Sequence, residues 1–261
     1  MRARSMLGCA ITAFAALSGR AEAQTLADRI AAVRDGVVTF HFTARPSVCG
    51  DGEHFIRMGR SYHGSFRSGS PMEPCMIGPV EVRATLDNGS VTRVQYWVGA
   101  LRPRNARDLG AVPAPEAARY LMTLAARGGP AASAKAIVPA VLADSAIVWP
   151  ALLTVARDTE TRSRGTRQEA MHWLSRFASG AVAGRPNDPL DWNQEPATEQ
   201  EDMQAHAVFV LSQLPRGVGI TDLLEVARSN RNPRVRGHAL FWLGQSGDPR
   251  AIGLYESLLR S

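Results

Sequence analysis

His41, His54 and His63, with Asp51 and Glu53 between them, are the residues here whose types could do chemistry. Imidazoles and carboxylates are the ligands of hydrolytic zinc sites and the groups of general acid–base pairs. Their spacing argues against both uses. No pair forms the HExxH arrangement that sets two imidazoles on one helix face, and the chain has no GxSxG elbow to present a serine nucleophile. These residues are expected to be polar strand-face and loop positions, so we expect no catalytic residue, metal or cofactor and a protein that is not an enzyme. The alternative is an envelope hydrolase or metal-dependent enzyme with its site in this region.

The cysteines point to a compartment rather than to catalysis. Of three, Cys9, Cys49 and Cys75, the first lies in an N-terminal segment with the marks of a cleaved export signal. Arg2 and Arg4 supply positive charge, Met6 to Leu17 is apolar, and Ala21-Glu22-Ala23 is a small-x-small cleavage site, leaving Gln24 first. Leu7-Gly8-Cys9 hints at a lipoprotein box, but that cysteine should follow the apolar stretch and here precedes most of it. A lone remaining pair in an oxidising compartment is read as a Cys49–Cys75 disulfide. Free thiols or half of a metal site would be the other option, without the CxxC spacing that metals favour.

The chain is thus expected to be periplasmic or secreted. No other stretch is long and apolar enough to span a bilayer, so no membrane insertion is expected after cleavage. The formal charge of +6 falls to about +4 without the signal, and its arginines are scattered. Nucleic acid is therefore not the expected partner. The Ala, Arg and Gly bias suggests a GC-rich bacterium.

The elements that would position a site come in two kinds. Val38, Phe40, Phe42 and Ala44 alternate with Thr39, His41 and Thr43, the period of a half-buried strand. Val80 to Leu86 alternates again, and after Asp87-Asn88-Gly89 so does Val91 to Val98, with Thr92, Val94, Tyr96 and Val98 on one face. Asn-Gly between two such runs predicts a hairpin. Leu26 to Val33 adds a short helix. Leu101 to Pro115, rich in Pro, Arg and Ala, reads as a linker.

Beyond it the period turns helical, in eight segments: Glu116–Arg127, Ser133–Leu142, Ile147–Asp158, Arg167–Ser179, Glu201–Leu214, Thr221–Arg228, Pro233–Leu243 and Pro249–Arg260. The expected architecture is α+β, with a signal peptide at 1–23 and a small disulfide-tied β domain at 24–108. An α-solenoid of about four helix pairs follows at 109–261, with an inserted loop at 184–199.

The helices repeat. Ala207-Val208-Phe209-Val210-Leu211-Ser212-Gln213 matches Ala239-Leu240-Phe241-Trp242-Leu243-Gly244-Gln245 in class at every position, and Ala170 to Arg176 fits more loosely. A second template, Leu152 to Arg157, recurs at Leu223 to Arg228. Two templates in alternation at a period in the thirties mean stacked two-helix units. The stretch Asn232 to Ala251, with Val235-Arg236, Ala239-Leu240, Leu243-Gly244 and Gly247-Asp248-Pro249-Arg250-Ala251, resembles the short HEAT-like repeat, a variant of which occurs in phycobilisome lyases. Export would place the chain away from the bilin substrates of those enzymes. The resemblance implies an α-solenoid that binds partners along its curved face and no shared chemistry. Asp248 should cap the last helix with Pro249 in its first turn, and Gly244 and Gly247 should form the corner before it.

Projected at 100° per residue, the repeated helix turns Val235, Ala239, Trp242 and Leu243 inward. Stacking of the copies in chain order would align Phe209, Phe241 and His172; Gln213, Gln245 and Arg176; and His206, His238 and Glu169. The candidate partner-binding ridge is therefore His206, Gln213, His238, Gln245, Arg176 and His172, with the two phenylalanines expected to be buried by neighbouring helices. We expect a monomer that binds a protein partner through this surface.

Overall fold

The computed structural model describes residues 24–59, 61–64, 74–101, 105–189 and 198–261. The expected signal peptide at 1–23 and the 190–197 part of the expected insert lie outside the described residues. The fold is α+β: a sheet region followed by a run of helices.

Helix α1 (Leu26–Ala31) leads into strands β1 (Gly36–Phe42), β2 (Val48–Gly50), β3 (Phe55–Met58), β4 (Ser61–Gly64), β5 (Val80–Asp87), β6 (Ser90–Val98) and β7 (Arg107–Ala111). One sheet has the order β6-β5-β1-β7 and a smaller one β2-β3-β4. Cross-strand register explains the burial. Phe40 faces Val82 and Tyr96, Val38 faces Ala84 and Val94, and Phe42 faces Val80 and Val98. These rows form the buried face, as alternation predicts. The hairpin sits where Asn-Gly placed it. Asn88 and Gly89 link β5 to β6 with φ of 49° and 74°, the paired positive values that a two-residue turn needs. Thr92 leaves the expected face: the register shifts beside Thr85, and Thr92 is exposed, donating its hydroxyl to Thr85 O at 3.2 Å.

Cys49 and Cys75 are bonded, with Cα atoms 5.3 Å apart. The expected linker is not one. Its residues 107–111 form β7, paired in parallel with β1, so the division placed between 108 and 109 falls inside a strand. Arg-Asp-Leu-Gly-Ala shows no alternation because this edge strand is held by backbone pairing rather than by a buried face.

The helices are α2 (Ala114–Arg127), α3 (Pro130–Leu142), α4 (Trp149–Arg157), α5 (Arg164–Val182), α6 (Glu199–Gln213), α7 (Ile220–Ser229), α8 (Pro233–Ser246) and α9 (Pro249–Arg260). Each of the eight expected segments is present. Caps set the boundaries: Thr198, Asn232 and Asp248 accept from the backbone of Glu201, Arg234 and Arg250, and Pro233 and Pro249 open α8 and α9. Gly247 ends α8 at φ 69°, where a left-handed residue lets the chain reverse. Gly244 has another role than the expected corner. It lies inside α8, where an added Cβ would sit 3.0 Å from Ser175 Cβ, so it permits close approach of α5.

The order of packing departs from a simple solenoid. One layer runs α3–α5–α8–α6 and the other α2–α4–α9–α7, so the last hairpin is wedged between α4/α5 and α6/α7. Gly244 lies on Ser175 and Met171 while Gly237 lies on Ser179, so α5 and α8 are antiparallel. By contrast Glu201 meets Asn232 and Arg234 while Phe209 meets Trp242, so α6 and α8 are parallel. Parallel neighbours are what stacked repeats produce. The antiparallel seam marks where two short stacks, α2–α5 and α6–α9, dock face to face. Small residues carry that seam, and the hydroxyls of Ser175 and Ser179 are satisfied within α5 by His172 O and Ser175 O.

Sheet and helices share one core, into which Phe40 packs edge-on to Tyr120 of α2. Arg45, just after β1, is buried across this junction. It donates to Val141 O at 2.7 Å, Ala146 O at 2.8 Å and Asn187 O at 3.0 Å, and its guanidinium lies over the Phe177 ring. Burial lowers its pKa, against the raising effect of Asp188 and Asp144.

Candidate functional site: rings and amides across three helices

Strand register sets the histidines of the sheet region at separate places. His41 is on the central part of the larger sheet, opposite Glu81; His63 is on β4, opposite Ile56; His54 sits in the turn before β3. Asp51 is used structurally. Its buried carboxylate accepts from the backbone of Glu53, His54 and Phe55 at 2.8–3.1 Å and lies 3.1 Å from His54 Nδ1. Burial alone would raise its pKa, but these donors hold it at about 2. Among the described residues, no three His, Cys, Asp or Glu side chains are placed to hold a metal ion. A groove of about 500 Å3 between α2 and α4 is lined by residues such as Met122, Val148 and Ala151 and by no histidine, cysteine or carboxylate.

The predicted ridge is partly assembled. His172 of α5 meets Phe241 of α8 edge-on at 6.1 Å, and its Nδ1 lies 3.1 Å from Gln245 Nε2. From Phe241 the rings continue to Trp242 at 5.1 Å, then to Phe209 of α6 at 5.2 Å and His206 at 6.2 Å. In the other direction His172 touches Trp173 at 5.3 Å. Centroid separations of 4.5–7 Å are those at which aromatic pairs attract. The run therefore crosses three helices without a gap, and α8, not α6, is its centre.

Several ridge residues sit elsewhere than projected. Arg176 is 2% exposed, with its guanidinium 5.0 Å from the Trp173 ring, and is not part of any accessible ridge. The projection assumed an open outer arc on α5, but α3, α4, α8 and α9 enclose that helix. Gln245 consequently meets His172 rather than Arg176. His238 is half-buried, and burial lowers its pKa while the charge of Asp202 opposes that shift. Glu169 accepts from Trp173 Nε1 at 2.8 Å. Gln213 and His206 are exposed on α6, Gln213 donating to Ser212 Oγ at 3.0 Å. Phe241 is buried as expected, whereas Phe209 stays 39% exposed. Trp242, placed on the inward stripe, is only half-buried and joins the rings.

Helix α6 also carries a second apolar face, outside the projected ridge. Met203, Ala207, Val210 and Leu214 of α6 and its C-terminal turn are all exposed, with Val218 just beyond. Their spacing of four, three and four is a heptad a/d seam, a signal present in the sequence itself.

A stack of helix pairs with capped, proline-opened helices and a bare end defines a helical-repeat protein. Residues 235–254 match the family model described as PBS lyase HEAT-like repeat. The chain thus carries a HEAT-like repeat, and its N-terminal sheet region matches no family. No curated protein and no solved structure matches the chain.

Proposed function

We propose that this is an exported protein-interaction module that holds a protein partner on the ring run of α5, α8 and α6. The observation that carries the reading is the unbroken series His172–Phe241–Trp242–Phe209, bordered by the exposed amide of Gln245. Rigid aromatic anchors rimmed by hydrogen-bonding side chains are the composition of interface hot spots. The helical-repeat architecture supports the same reading, because such stacks present long surfaces rather than closed pockets. The Cys49–Cys75 disulfide supports an oxidising compartment.

A photo-crosslinking residue in place of Gln245, in the full chain expressed in its own host, tests this. One discrete adduct is expected, and it should be lost when Phe209 is changed to Ser. No adduct from position 245, with a discrete one from exposed Ile77 in the sheet region, would overturn the assignment.

A further inference from the structure

Helix α6 is apolar on two sides. Val208 and Leu211 pack inward, and Glu201 on that side bonds Asn232 and Arg234 of α8. About 120° further round the helix, at 100° per residue, lie Met203, Ala207, Val210 and Leu214, with Met203 66% and Val210 48% exposed. Val218, 67% exposed, follows one turn later. A repeat stack normally ends in a helix with a polar outer face. This end instead presents an interior-type face, and its a/d spacing is the pattern with which one helix receives another.

Charge says which helix. The first turn of α6 carries Glu199, Glu201 and Asp202, while Arg216 stands exposed just past its C-terminus. Two copies of α6 side by side in parallel would set acid against acid. In an antiparallel pair about a two-fold axis, Met203 meets Leu214 of the second copy and Ala207 meets Val210, over about 17 Å of helix. The same register brings each Arg216 to the acidic first turn of the other copy. We propose that the protein forms a two-fold dimer through antiparallel pairing of α6 with α6 of a second copy, in place of the monomer expected from the sequence. Such an interface is self-complementary and closes. It does not rest on the partner reading, since Gln245, Phe241 and His172 lie on α8 and α5, away from the seam.

Sedimentation velocity of the purified full chain across a concentration range tests it. A dimer is expected, and Val210→Asp with Leu214→Asp should give a monomer with unchanged circular dichroism, since both side chains are exposed. Arg216→Glu should raise the dimer dissociation constant about tenfold, and adding Glu199→Arg and Asp202→Arg should restore it. Orientation is read from single cysteines. Ala207→Cys, beside the axis, should give disulfide-linked dimers, whereas Met203→Cys should not, because the two copies of position 203 stand about 17 Å apart along the helix axis. A monomer at every concentration, a dimer indifferent to the two aspartates, or linkage through Met203→Cys would overturn the proposal.

Discussion

Helices α6 and α8 are written from one template and live in opposite surroundings. Ala239, Leu240, Phe241 and Leu243 are buried in a helix packed on α5, α6, α7 and α9, whereas of their counterparts Ala207, Val208, Phe209 and Leu211 only Val208 is buried. Val210, the counterpart of Trp242, faces outward. The template thus encodes a helix that expects neighbours on both flanks, and position in the stack decides whether it has them. The hydrophobic effect rewards burial wherever a partner is found, without regard to which element supplies it. Equal substitutions in the two copies should therefore have unequal effects.

The largest difference is expected from the leucines. Leu243→Ala opens a cavity in a site with no exposure and should cost about 3 kcal/mol, while Leu211→Ala, half-buried at the end of the stack, should cost about 1 kcal/mol. Urea unfolding of the full chain gives both. Equal losses would mean that α6 is covered as completely as α8. Next comes the seam. Gly244→Val forces methyl groups onto Ser175 and the Met171 carbonyl, 3.0 and 3.2 Å from the first added carbon, at a cost of about 2 kcal/mol. Ser212, at the matching place on α6, is half-buried and already carries a side chain, so Ser212→Val should cost less, about 1 kcal/mol. If Gly244→Val is harmless, α5 and α8 are not in close contact.

The same contrast shows what could be read beforehand. Caps and corners were legible because they depend on residues a few positions apart: Asn232, Pro233, Gly247, Asp248 and Pro249 each act on their own helix end. So were the alternation of Val38, Phe40 and Phe42 and the turn at Asn88-Gly89. Lateral order was not. Period specifies that α8 has an apolar stripe but not that α5 lies against it, and the chain order of the copies suggested α5–α6–α8. A hint existed in the small residues Gly237 and Gly244 on α8 and Ser175 and Ser179 on α5, spaced so that one flank of each helix lacks bulk. Arg45 gave no hint, since its three carbonyl partners lie 96 to 142 residues away in sequence. The ring run was half legible: position, not type, decided that Arg176 would be enclosed and Phe209 left at the edge.

A smaller effect is expected where α9 fastens onto α8. The Tyr255 hydroxyl, fully buried, donates to Leu240 O at 2.8 Å, and burial pushes its pKa well above the usual value. At the corresponding step of the apolar pattern α7 has Ala227, so the tyrosine tie of the central pair has an alanine in its place in the end pair. Tyr255→Phe should lower stability by about 1 kcal/mol, as Tm will report. No loss would mean that the tie adds nothing to the packing of the ring.

The smallest effect separates the copies by pH. His238 sits half-buried on α8 toward Asp202 of α6; burial lowers its pKa, and the carboxylate pulls the other way. A lowered folded pKa means that the unfolded chain binds the proton more readily. The resulting stability is complete above the ordinary imidazole value of about 6.5 and is lost as pH falls through the lowered value. Because the ring is partly solvated, the loss should stay below about 1 kcal/mol. His238→Gln should flatten the fall of Tm between about pH 7 and 5, and Asp202→Asn, which removes the opposing charge, should steepen it. A slope indifferent to both substitutions would mean that α6 does not shield this ring, and with it that the end helix is less firmly seated on α8 than its contacts imply.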